Sequence, residues 1–179
     1  MRYYLFAILV SLGACTSPVK ETREAKIINE LTGNELVFTE NLYANISKND
    51  QLSLDVFQLK LRKIVTIVNY DFGLCRESIK KWKEFLKGKN ITFLLIVKGG
   101  DEEFNNHIRS NESSSFKYIY HDSDIMFELT NKILPGTRLR TFLINCENKI
   151  HIISNPLFNK AIAKLYHKEI KNDNTPNTR

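Results

Sequence analysis

Three stretches of this chain are apolar at nearly every position, and each is the length of a strand rather than a helix. Ile64-Val65-Thr66-Ile67-Val68-Asn69-Tyr70 and Ile91-Thr92-Phe93-Leu94-Leu95-Ile96-Val97 have the β-branched character of strands covered on both faces, and Phe116-Lys117-Tyr118-Ile119-Tyr120 gives a third. Between the first two the pattern changes period. Ile79, Trp82, Phe85 and Leu86 recur at helical spacing, which predicts an amphipathic helix over residues 75–87, ended by Gly88. Gly99-Gly100 closes the second strand, and Asp101 then caps a helix through about Arg109 with Phe104 and Ile108 inward. Asp122 or Ser123 caps another, holding Ile125, Met126, Phe127 and Leu129. Thr141-Phe142-Leu143-Ile144-Asn145 and Lys149-Ile150-His151-Ile152-Ile153 flank a short polar turn, so they read as a hairpin. Asn155-Pro156 places a cap and a first-turn proline before a last helix marked by Phe158, Ile162, Leu165, Tyr166 and Ile170.

The predicted order is β-α-β-α-β-α-β-β-α. Strands joined through helices are parallel and the hairpin adds antiparallel ones, so an α/β domain follows: a mixed central sheet with helices on both faces. Ahead of it, residues 27–62 hold only short apolar runs, with strands expected near 36–38 and 56–61 and a turn at Gly33-Asn34. Residues 16–26 are polar and without period, as a tether would be. Residues 171–179 are polar and read as a flexible tail.

The first residues follow another logic. Arg2 precedes an apolar run, Leu5 to Ala14, about half the ~20 residues a membrane-crossing helix needs. A short run behind a positive start is a signal peptide. Leu12-Gly13-Ala14-Cys15 resembles the lipobox of bacterial lipoproteins, which implies cleavage after residue 14 and a diacylglycerol on Cys15. Two or three acyl chains, at ~0.8 kcal/mol per buried CH₂, hold a protein to a bilayer permanently. Thr16 and Ser17 follow, with no Asp next to the cysteine, which in similar lipoproteins favours the outer membrane. The expected partners are thus a lipid bilayer, through acylated Cys15, and a protein of the cell envelope.

Removing 14 of 179 residues leaves 165, enough for one domain with a real core. The formal charge of +6 is spread over scattered lysines; with export expected, a solvated surface explains it better than nucleic acid does. His107, His121, His151 and His167 lack metal-ligand spacing, and no cofactor is expected. Asp122 and Asp124 could be paired carboxylates, but a helix cap explains them more simply.

Lys63 to Asn69, a short loop, then Cys75-Arg76-Glu77-Ser78-Ile79-Lys80-Lys81-Trp82-Lys83-Glu84-Phe85 resembles the thioredoxin-like lipoproteins of Bacteroides-type bacteria, relatives of the TlpA and AhpC/TSA groups. The later hairpin, Asn155-Pro156-Leu157 and the closing helix fit the same frame, as do Leu31-Thr32-Gly33 and Leu36-Val37-Phe38. The likeness implies a thioredoxin-like domain over 27–170 and an origin among thiol-disulfide oxidoreductases. In those families a strand leads to Cys-x-x-Cys at a helix start, where the first thiol is the nucleophile. In one register Cys75 takes the second cysteine's place and Phe72 the first's; in another Cys75 is the nucleophile and Ser78 stands second. The helical period favours the former. The family's cis-proline is also missing: Leu139 stands in that stretch, with a trans bond expected. Only Cys75 of the pair remains, so the resemblance implies thiol exchange weakened or lost, the alternative being a non-catalytic binding or scaffolding module.

Cys146 lies about 7 residues beyond Leu139, ~23 Å along a strand, too far for a disulfide with Cys75 if this fold holds. Arg138 and Arg140 fall on the segment expected beside Cys75, where an arginine lowers a thiol pKa or grips an anion, although two solvated side chains are the plainer explanation.

Overall fold

A computed structural model describes residues 22–38, 62–69, 75–99, 116, 118–122, 124–134 and 139–172. The elements are α1 (Arg23–Leu31), β1 (Arg62–Asn69), α2 (Cys75–Leu86), β2 (Thr92–Lys98), β3 (Tyr118–His121), α3 (Met126–Thr130), β4 (Thr141–Asn145), β5 (Ile150–Ile153) and α4 (Lys160–Asn172). They form one five-stranded sheet in the order β3-β2-β1-β4-β5. β1, β2 and β3 are parallel, while β4 runs antiparallel to β1 and pairs with β5 as a hairpin. This is the α/β architecture and mixed sheet that the hydrophobic pattern predicts.

The sheet is covered on both faces because neighbouring residues of its central strands point opposite ways. Val65, Ile67, Leu94, Ile96, Phe142 and Ile144 enter one apolar cluster with Ile27 of α1 and Phe127 of α3. Ile64, Phe93, Leu95, Val97 and Leu143 enter the other, with Ile79 and Trp82 of α2 and Tyr166 and Ile170 of α4. The strands thus bury both edges of their pattern, which is why they read as continuous apolar runs rather than alternating ones.

Several boundaries differ from the sequence expectation. The polar stretch 16–26 does not continue as tether to its end: α1 begins at Arg23, and Thr22 caps it by accepting from Ala25 N at 3.1 Å. Its apolar stripe, Ile27, Ile28 and Leu31, occupies only the second half of the helix, so the first turn looks like linker. Residues 36–38 form no strand; one bridge joins Glu35 to Lys149, and Leu36 N donates to Asn148 O. The strand expected near 56–61 and the helix expected over 101–109 lie outside the described residues.

The last helix begins at Lys160, not Pro156. Asn155 closes a tight turn by accepting from Leu157 N, and Asn159 caps the helix by accepting from Ala161 N and Ile162 N. Both asparagines can cap, and the second one does because the Pro156 segment is spent on the turn. In α3, Met126 and Leu129 are exposed, and Phe127 is the apolar anchor. Gly88, at φ +72°, supplies the left-handed residue after α2. Among the described residues no helix is long and apolar enough to cross a membrane.

Candidate functional site

The topology defines two edges of the sheet. At one, β1 ends in Asn69 directly beside Lys98, the last residue of β2. α2 follows β1 and has Cys75 as its first residue, so the cysteine singled out by the sequence belongs to this edge. The antiparallel β4 starts here: Thr141 pairs with Thr66. Just before it, the Arg140 carbonyl accepts from Ile67 N at 2.9 Å and lies 3.5 Å from Thr66 Oγ1. Leu139 is buried in the α1-side core at 6 % exposure. The edge thus gathers the start of α2 with Leu139 and Arg140. Phe72, Arg138 and Cys15 lie outside the described residues. No cis peptide bond occurs among the described residues.

A charge cluster that the sequence reading did not isolate fills this edge. Glu128 of α3 is 1 % exposed. Lys98 Nζ donates to its Oε2 at 2.7 Å, and Arg140 Nε stands 3.0 Å from its Oε1. The second approach is off the hydrogen-bonding direction, so it is an ion pair rather than an aligned hydrogen bond. A buried carboxylate left alone would cost several kcal/mol, about what two cations can offset. The signal in the sequence was a glutamate interrupting the apolar run Ile125-Met126-Phe127-Glu128-Leu129.

Asp122 is the other buried carboxylate here. It accepts from Met126 N at 2.9 Å and Phe127 N at 3.0 Å, four and five residues on, and so caps α3 from outside the helix. Burial pushes its carboxyl above the usual range, although the two amide bonds pull the other way. Its role is therefore the cap, as the simpler sequence reading had it, and Asp124 is exposed.

The opposite edge holds Cys146, exposed and free in the β4–β5 turn. Asn145 pairs with Arg62, at the start of β1, whereas α2 follows the end of that strand. The rise of β1 from Arg62 to Asn69 separates the two levels by roughly 23 Å, at about 3.3 Å per step. Beside Cys146 lies Lys63, which is fully buried; its amine donates to Asn148 Oδ1 at 2.7 Å. Desolvation pushes this lysine down to about 8, partly countered by the Cys146 sulfur. Among the described residues no group of three His, Cys, Asp or Glu is placed to hold a metal ion.

Comparison with solved structures defines the fold. The thioredoxin domain of a thiol-disulfide oxidoreductase from Bacteroides vulgatus superposes with a TM-score of 0.57 at 18 % identity, over 78 % of this chain and 97 % of that one. A thiol:disulfide interchange protein from a Bacteroides species gives 0.51 at 18 % identity, over 75 % and 86 %. No family model and no curated protein matches the chain. The fold is thioredoxin-like; of the two structures that share it, one is named a thiol-disulfide oxidoreductase and the other a thiol:disulfide interchange protein.

Proposed function

We propose that this chain is a lipid-anchored protein of the bacterial cell envelope, facing the periplasm from the outer membrane, built on a thioredoxin-like domain descended from thiol-disulfide oxidoreductases. Cys75 is the one thiol left of the ancestral pair, and turnover is weak or lost. The observation that carries this reading is the sheet edge where α2 opens with Cys75 while buried Leu139 stands just ahead of β4. A single thiol can attack a disulfide and form a mixed disulfide, but it has no neighbour to release it. With Phe72 and Leu139 in the places of the missing cysteine and proline, the second reading is a scaffold that binds an envelope partner without exchange.

The anchor rests on Leu12-Gly13-Ala14-Cys15. Because α1 starts at Arg23, no more than residues 16–22 link it to the lipid, a reach of at most about 25 Å. That would hold the domain close to the bilayer surface. Fractionation of cells expressing wild type and Cys15→Ser tests the anchor: acyl label and membrane association vanish in the variant, and their persistence would refute it. Disulfide-reductase turnover in wild type and Cys75→Ser tests the chemistry. Equal background rates support the scaffold reading; weak wild-type turnover abolished by the substitution overturns that one and leaves a weakened exchanger, and turnover as fast as that of a two-cysteine thioredoxin overturns both.

A further inference from the structure

Arg140 is held unusually firmly for a partly exposed arginine. Its carbonyl is fixed to β1 by Ile67 N at 2.9 Å, and the residue before it, Leu139, is locked in the core. Its Nε is buried and turned to Glu128 Oε1 at 3.0 Å. Glu128 is in turn held by Lys98 at 2.7 Å. The side chain is 20 % exposed, and its two outer nitrogens, Nη1 and Nη2, have no partner among the described residues. One carboxylate between two cations leaves the cluster with an excess positive charge. The other buried carboxylate, Asp122, accepts from the amides of α3 rather than pairing with either cation.

A guanidinium whose inner side is fixed and whose outer fork is open is preorganised for an anion, because little rotamer entropy remains to be lost. Its place is the sheet edge from which β1 leads to Cys75.

We propose that Arg140 is an anion-docking residue, which grips a carboxylate on the disulfide-bearing molecule that Cys75 attacks. This rests on the reading of Cys75 as the surviving thiol. The preferred substrate is a disulfide flanked by acidic groups. The Cys75 thiolate attacks one sulfur, the S–S bond breaks, a mixed disulfide forms, and the other sulfur leaves as a thiolate that takes a proton from water. Glu128 is a positioning residue: it holds the guanidinium and does not meet the substrate.

The test uses the full chain carrying Cys15→Ser and Cys146→Ser, so that Cys75 is the sole thiol. Rates of adduct formation are measured with two aromatic disulfides, a dicarboxylate and an uncharged dipyridyl, as a ratio. Arg140→Gln, made together with Glu128→Gln so that no carboxylate is left half paired, is expected to lower the ratio about tenfold, the scale of one charge-assisted contact. Arg140→Lys keeps the charge without the fork and falls between. An unchanged ratio overturns the proposal. Titration with isophthalate, which carries no sulfur, separates docking from chemistry. Saturable shifts of the 139–141 amides in wild type and in Cys75→Ser, absent in the Arg140→Gln, Glu128→Gln double variant, support docking even if Cys75 proves inert. No shift in wild type overturns it.

Discussion

Lys98 and Glu128 meet at 2.7 Å, joining the last residue of a central strand to a five-residue helix whose carboxylate is almost wholly withdrawn from water. Arg140 closes the cluster from the residue just ahead of β4. Removing the carboxylate alone strands two cations. Glu128→Ala is therefore expected to cost about 3–5 kcal/mol in urea unfolding, and adding Lys98→Met and Arg140→Met is expected to recover much of it. A loss under about 1 kcal/mol for the single variant would show that the cluster is not holding the edge together.

Asp122 is expected to split two effects. Asp122→Ala loses both amide bonds to α3 and should cost about 2 kcal/mol at neutral pH. Asp122→Asn keeps one acceptor and costs less. The folded carboxyl titrates above 3.8, so the folded chain holds this proton more tightly than the unfolded chain does. The proton-linked part of its stability is full below that value and is lost as pH rises through the folded pKa, while the cap to α3 remains. Wild-type stability relative to Asp122→Asn should therefore fall as pH is raised from about 3.8; a rise would contradict the assignment.

Lys63 has the reverse dependence on a basic group. Its amine titrates near 8 when folded and near 10.5 when unfolded. Between those values the unfolded chain binds more protons, so stability gains with pH across that window; below about 8 the fold carries a buried ammonium. The stability difference between wild type and Lys63→Met should shift in favour of wild type by about 1–3 kcal/mol from pH 8 to 10.5. A flat difference would mean that the amine is solvated.

Trp82 packs its ring against Phe93 at 4.9 Å and Phe85 at 5.5 Å, and its Nε1 is buried without a hydrogen-bond partner among the described residues. Trp82→Ala should cost about 3–5 kcal/mol. Trp82→Phe gives up volume but relieves the unpaired N–H, so about 1 kcal/mol is expected. Similar losses in both variants would point to an undetected partner for the indole.

The strands were legible because burial on both faces leaves continuous apolar runs, and β1, β2, β4 and β5 fall within two residues of the expected limits. α2 was legible because Ile79 and Trp82 are spaced for one face, and both are buried. α1 was hidden, since a nine-residue helix with a half-length apolar stripe is hard to tell from a linker. The site was legible only in part. Sequence pointed to Cys75, Leu139 and Arg140, but the pairing of Lys98, Glu128 and Arg140 joins residues 30 and 12 positions apart on three elements. No local pattern encodes that. Lys63 was equally hidden: at the head of a strand it looks like a solvated end, whereas in the fold it is buried with its amine on Asn148 of the β4–β5 turn.

The most direct test lets Cys75 form an adduct while the other thiol is still present. The chain carrying Cys15→Ser is treated with one equivalent of an aromatic disulfide, and the products are followed by intact mass and peptide mapping. With Cys146 on the opposite edge of the sheet, the account predicts an adduct on Cys75 that persists until an external thiol is added. Spontaneous discharge into a Cys75–Cys146 disulfide within one chain would contradict it.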